Sequence, residues 1–357
     1  VSASFSGKKS DSGTSGASTD QYSYGLTAKQ LVFDGFKSYY DLKGAGADVD
    51  TALRDYSVTS ATVRLNLKKA FISLLKAQRM LSIEQDIEKR RKHILDLVKM
   101  KYEAGNEHRG SYFASRADYL SAQASVKSAA RDVSLAKKTL AYLMGLDEAA
   151  DFRINGELKL LLEYGQKPDF SGIVTANPTY LKYQSASRSA QYGLESSKLA
   201  FSPELYGTAS AGRNGETLAD MTNNWSVGFE VTAPIFSGGE TWYGYKKAEA
   251  AYRQALQDEQ NTRNTLMKEL EEYWNSLMTG IENVDVQKAS LEAYTERSRI
   301  GEVQYSIGTL SFDNWIIIEN SRANAEKSYI EACASALTAE AQWINANGGT
   351  LENESKK

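Results

Sequence analysis

The feature that most constrains this chain is that it is written twice, with the copies 203 residues apart. Phe33-Asp34-Gly35 returns as Phe236-Ser237-Gly238, and Tyr102-Glu103-Ala104-Gly105 returns as Tyr305-Ser306-Ile307-Gly308. Both landmarks keep the same offset, so the segment between them has one fixed length in each copy. Fixed length matters when two copies must span the same distance side by side. The pattern points to a symmetric, elongated assembly rather than a globular enzyme.

Between the landmarks the sequence reads as very long helix. Residues 47–104 contain no Gly and no Pro, the two residues that most weaken a helix interior. Within them Val63, Leu67, Ala70, Leu74, Ala77 and Leu81 step by four and three in turn, a heptad seam that favours a left-handed coiled coil. A helix over residues 40–102 would be on the order of 90 Å long. The second copy predicts helix over 245–300, interrupted only at Gly280. Pro168, Pro178, Pro203 and Pro234 all lie between the long helical regions and mark the breaks.

Upstream of each long helix the period changes to two. Trp225, Val227, Phe229, Val231 and Ile235 alternate with Ser226, Gly228, Glu230, Thr232 and Pro234. At the same offset Tyr22, Tyr24, Leu26 and Ala28 alternate with Ser23, Gly25, Thr27 and Lys29. Such strands have one apolar and one polar face, and ten to twelve residues suffice for a tilted membrane-spanning strand, which needs about 9–11. A polar loop (8–20, 212–224) and a shorter strand (1–7, 204–211) precede each. Every copy therefore reads strand, polar loop, strand, tight turn, long helix. At the junctions Phe36, Tyr39 and Tyr40 cluster in the first copy and Trp242, Tyr243 and Tyr245 in the second. Amphipathic rings collect at the headgroup level of a membrane barrel.

The remaining composition excludes more than it assigns. No run of 18 apolar residues exists, so no membrane-spanning helix is expected, whereas a barrel strand meets lipid only at alternate residues. A net charge of −3 argues against nucleic acid as a partner. Cys333 stands alone, and His93 and His108 lack ligand-like spacing. No catalytic residue, metal site or cofactor is expected.

The order strand pair, long helix, Tyr-x-x-Gly turn, shorter helix, repeated twice, resembles the TolC family of outer-membrane efflux and secretion ducts. The resemblance spans essentially the whole chain. It is carried by Tyr305-Ser306-Ile307-Gly308-Thr309-Leu310-Ser311-Phe312-Asp313, by Tyr102-Glu103-Ala104-Gly105, and by the strand endings 31–35 and 233–239. It implies a mainly α protein with membrane β: a long antiparallel coiled-coil α-helical barrel joined to a transmembrane β-barrel, each chain giving four strands and two internal repeats. It implies a homotrimer in the outer membrane of a Gram-negative bacterium that extends into the periplasm and serves as the passive exit duct of a tripartite efflux or type I secretion system. A periplasmic adaptor and an inner-membrane pump would open it. Physics asks for assembly independently, because four strands in lipid leave open edges, and three copies give an even-numbered barrel wide enough to conduct.

The family pattern places the adaptor at the helix-hairpin tips, here Tyr102, Gly105, Tyr305, Ile307, Gly308, Thr309 and Leu310. The first turn fits less well, and a small insertion is expected around His108-Arg109-Gly110-Ser111. The family's closing network pairs a tip tyrosine and an arginine with acidic partners, and aspartates ring the aperture. Tyr305 matches the tyrosine, but Leu310 stands for the arginine and Ser111 for the acid, so the same network is not expected. Tyr305, Asp313 and Asn314 remain the candidates near the constriction.

The expected organisation is a first strand pair (1–36), a helical hairpin (37–145), an irregular equatorial segment (146–177), a helix (178–203), a second strand pair (204–239), a second hairpin (240–346) and a tail (347–357). A helix matching 178–203 is expected before Val1. The competing reading is a coiled-coil scaffold with a β cap that transports nothing. Cargo, pump and adaptor are not encoded in the sequence.

Overall fold

A computed structural model describes residues 2–11, 18–146, 152, 154–160 and 165–348 of the chain. In order the elements are β1 (Ser2–Asp11), β2 (Ser18–Phe33), α1 (Lys37–Glu103), α2 (Arg109–Met144), α3 (Phe170–Ala176), α4 (Pro178–Leu199), β3 (Glu204–Gly215), β4 (Thr222–Thr232), α5 (Glu240–Ser306) and α6 (Phe312–Ala346). The fold is mainly helical, with long antiparallel helices and a small antiparallel sheet. No helix among the described residues is long and apolar enough to cross a membrane.

The repeat is tighter than the sequence alone suggests. α1 and α5 are each 67 residues long, and both begin and end 203 positions apart. Residues 104–108 and 307–311 then make turns of equal length. The insertion expected after Tyr102 is therefore absent. His108 takes the N-cap place that Ser311 takes in the second copy, and each side chain accepts a hydrogen bond from a backbone N–H three residues on. Gly280 does not interrupt α5, which runs through it.

The polar stretches read as loops are shorter than expected. β1 and β2 pair from Ser2↔Thr27 out to Asp11↔Ser18, so residues 8–11 and 18–20 are strand. β3 and β4 likewise pair out to Asn214↔Thr222. Polar side chains disfavour a buried strand, not an extended one, and the ladder's backbone hydrogen bonds continue past the apolar rows. Residues 12–17 of the expected first loop lie outside the described residues. Within the segment read as irregular, Asp169 caps the short helix α3 by accepting from Ser171 N–H at 3.0 Å.

Two compact units divide the chain: Val1–Arg54 with Leu181–Thr262, and Asp55–Tyr180 with Arg263–Lys357. The first holds the sheet, in the order β1-β2-β3-β4 with antiparallel neighbours. The core of the second is layered. Leu266, Leu270, Trp274 and Leu277 of α5 pack with Phe170 and Val174 of α3 and with Ala339 and Trp343 of α6. Ala70 and Leu74 of α1 meet Leu140 of α2, where the predicted heptad seam is buried. On the turn side of these layers, before the cluster of Ile94, Val98, Tyr305, Phe312 and Trp315, lies an ionic one. Arg90 bonds Glu326 at 2.5 Å, Arg322 reaches the same carboxylate at 3.1 Å, and Lys327 bonds Glu84 at 2.6 Å. Such a layer fixes the register of helices whose apolar seams alone would allow slippage.

Candidate functional site

In the second unit the two Tyr-x-x-Gly turns share one construction. Gly105 and Gly308 adopt left-handed φ values of +75° and +81°. Their N–H groups bond the carbonyls of Tyr102 and Tyr305, and the next N–H groups, of Asn106 and Thr309, bond those of Lys101 and Gln304. This is a Schellman closure, which uses the carbonyls a helix end leaves orphaned. Nothing lies within 4 Å of where a Cβ would sit on either glycine. The glycines thus serve the backbone and leave open space beside them. Ile307 is 70% exposed next to that space. Thr309 is exposed, Leu310 half-buried, and Asp313 and Asn314 lie exposed in the first turn of α6.

Tyr305 is placed differently from a surface contact. It is only 2% exposed, stacked on Trp315 with ring centres 4.4 Å apart, and packed with Ile94, Val98 and Phe312. Its hydroxyl donates to Glu107 Oε2 at 2.9 Å, Lys101 Nζ donates to its carbonyl at 2.6 Å, and the same ammonium lies 4.3 Å from its ring centre. The tip tyrosine therefore supports the turns from within. Tyr102, by contrast, is partly exposed and stacks on Tyr112.

These bonds tie the first hairpin to the second. The acid that meets Tyr305 here is Glu107 and not a residue at the Ser111 position. Burial pushes the Glu107 carboxyl up, but hydrogen bonds from His108 N–H, Tyr305 and Ser111 outweigh it and hold the group below its ordinary value. Tyr305 moves the other way: burial first, then the Glu107 carboxylate, raise its phenol far above the ordinary range. The pair is therefore a neutral phenol donating to a carboxylate, a charge-assisted bond. Lys101, Glu107 and Trp315 were not singled out in the sequence, and His108 was read only as part of an insertion and not as a cap. The offset of 203 could have exposed His108 through its register with Ser311, had no insertion been assumed.

In the first unit the register settles the two faces of the sheet. Leu26, Ala211 and Trp225 lie in one cross-strand row, and Ala28, Ala209 and Val227 in the next on the same face. Phe229 and Val231 extend this face along β4, with Phe229 79% exposed. The other face carries Gly25, Thr27 and Lys29 beside Gly212, Ser210, Thr208, Tyr206 and Glu204, and then Asn224, Ser226, Gly228, Glu230 and Thr232. Hydroxyls pair across it, as in Ser6–Ser23 and Ser210–Ser226.

The junction aromatics lie where this sheet turns into helix. Phe36 and Tyr39 are exposed and Tyr40 half-buried against Tyr192; Trp242 and Tyr243 are exposed, and Tyr245 packs on Trp242 with ring centres 5.9 Å apart. Phe36 has φ +72°, the one non-glycine in the left-handed region among the described residues. At the same place in the second copy stands Gly239, φ +92°.

A family model described as "Outer membrane efflux protein" matches residues 1–146 and 175–349. Among curated proteins, the outer membrane protein OprJ of Pseudomonas aeruginosa is 21% identical over 92% of this chain and 70% of its own length. The alkaline protease secretion protein AprF of the same organism is 24% identical over 77% of this chain and 57% of its own length. Among solved structures, the open-state MtrE outer membrane channel of Neisseria gonorrhoeae superposes with a TM-score of 0.87 at 19% identity, covering 100% of this chain and 82% of that one.

Proposed function

Because the chain belongs to the outer membrane efflux protein family, we propose that it closes as a homotrimer into the passive exit duct of a tripartite efflux or secretion assembly. It is a channel of the Gram-negative outer membrane and a transport protein, not an enzyme. The observation that carries the trimer is the sheet. One face is an exposed apolar row, the other is polar, mostly hydroxyl, glycine and amide, and β1 and β4 each leave an edge unpaired among the described residues. Such a sheet suits lipid outside and water inside only when its edges are closed by other copies. Three copies bring twelve strands, and two would give a barrel largely filled by its own side chains.

The tip carries the partner. The turns around Gly105 and Gly308, with Tyr102, Ile307, Thr309 and Leu310, form the surface offered to a periplasmic adaptor recruited by an inner-membrane pump. Tyr305 and Glu107 hold the two hairpins together behind that surface, and Asp313 and Asn314 face the aperture. Phe36, Tyr39, Tyr40, Trp242, Tyr243 and Tyr245 sit at the lipid headgroups. Small molecules are the leading cargo. Protein export is the second reading, favoured by the similarity to AprF, whose name places it in protease secretion. The pump, more than the duct, selects between them.

Full-length protein in detergent should have the mass of a trimer and, in a planar bilayer, pass discrete current steps. A monodisperse protein that needs no detergent and passes no current would sink the duct. Replacing Asp313 by Ala should alter cation preference, and unchanged conductance and selectivity would remove Asp313 from the aperture.

A further inference from the structure

The polar face of the sheet is not uniform. Away from the helices, β2, β3 and β4 give it only glycine, hydroxyl and amide side chains, among them Ser23, Gly25, Thr27, Gly212, Ser210, Thr208, Asn224, Ser226 and Gly228, and β1 places Lys8 opposite Gln21 near the far end. Charge gathers at the end that joins the helices. There Lys29 Nζ meets Glu230 Oε2 at 3.0 Å and lies 4.1 Å from the centre of the Tyr206 ring. The Tyr206 hydroxyl donates to Glu204 Oε2 at 2.6 Å. Three strands thus supply one cluster with one cation and two carboxylates. Asp34, nearby in sequence, is occupied at the start of α1, accepting from Ser38 N–H at 2.8 Å.

We infer that Lys29, Glu204 and Glu230 form a net-negative belt around the inner end of the barrel lumen, which sets the ion preference of the duct separately from the hairpin tips. The inference rests on the closed trimeric barrel proposed above. Each chain contributes one excess negative charge, since Glu230 is balanced by Lys29 and, among the described residues, the partner of Glu204 is a neutral phenol. Closure repeats the cluster three times around a confined aqueous bore, where one sign of charge within low-dielectric walls concentrates the opposite ion. Lys29 and Glu230 are about half exposed, at 44% and 51%, so their charge is open to passing solute rather than locked in a dry pair. The same belt would slow anionic cargo and favour cationic or zwitterionic molecules.

The test is the reversal potential of the reconstituted full-length trimer under a KCl gradient. Glu204→Gln combined with Glu230→Gln changes the belt from one excess negative to one excess positive charge per chain. It should lower the potassium-to-chloride permeability ratio by about twofold or more relative to the parent. Lys29→Gln should move the ratio the opposite way, and it decides the sign alone if the double variant does not assemble. Both shifts should shrink at 1 M salt, where screening acts within about 3 Å. Variants of trimeric mass that conduct with the parent's reversal potential, or that both shift in one direction, overturn the belt. No current from the parent protein overturns the duct itself, a distinguishable failure.

Discussion

Phe36 shows a residue held where its backbone is unfavourable. A left-handed φ costs a non-glycine side chain roughly 1–2 kcal/mol, and the second copy avoids that with Gly239. The ring is 64% exposed and meets Phe33 edge to face with centres 5.5 Å apart. Phe36→Gly should therefore raise the stability of the turn by about 1 kcal/mol while weakening retention in lipid. Thermal melting in detergent and resistance of reconstituted protein to extraction would separate the two effects, and a variant that loses both stability and retention would refute the strain. Glu107 makes a second residue-scale prediction. Its folded carboxyl titrates below the ordinary 4.5, so its contribution is present above that value and is lost as pH falls through the lowered one. Tyr305→Phe removes the hydroxyl donor. The variant should be less stable at pH 7 by about 1.5–3 kcal/mol, and the difference from the parent should narrow on acidification below 4.5. A gap that stays constant down to pH 3 would show that the bond does not carry the difference.

At the scale of elements, Gly280 is a contact rather than a break. A Cβ there would lie 3.2 Å from the backbone Cα of Ala336, so its absence lets α5 approach α6 closely. Gly280→Ala gains about 1 kcal/mol of helix propensity and Gly280→Val gains less, yet both must push α6 away. Valine should destabilise by about 1–3 kcal/mol in denaturant unfolding, and a stabilised valine variant would contradict the close approach. This distinction was not legible in the sequence, where glycine in a helix reads only as a weak point. What the sequence did carry was period and spacing. The heptad seam through Ala70 and Leu74 is buried where it was expected. α3 was missed because seven residues are too short to display a period, and its start depends on a single aspartate cap. The strand tips were misread because polarity was taken for irregularity. At the turns, one assumed insertion hid both His108 as a cap and Glu107 as the partner of Tyr305. Such side-chain meetings depend on two hairpins packing together, and no local pattern reports them.

For the molecule as a whole, the unfinished surfaces say most. On α1 the heptad phase that buries Ala70 continues back through Val49 and Leu42, both exposed in the single chain. An apolar coiled-coil seam without cover calls for another helix, and in the proposed trimer a neighbouring copy can supply it. Leu42→Glu combined with Val49→Glu should leave the helical circular dichroism of the chain intact and reduce its mass in detergent from trimer to monomer. A stable trimer of the double variant would place the interface elsewhere. The equal length of α1 and α5 has a different kind of consequence, for how such a gene can change. A heptad lost from one hairpin keeps its own seam in phase but leaves its turn about 10 Å out of step with the other. Lys101 would then miss the Tyr305 carbonyl, and Glu107 its hydroxyl. Length can therefore drift in this lineage only by matched events in both halves, each an integral number of heptads. Point substitutions meet no such restriction, so relatives can diverge widely in sequence while the register of 203 persists.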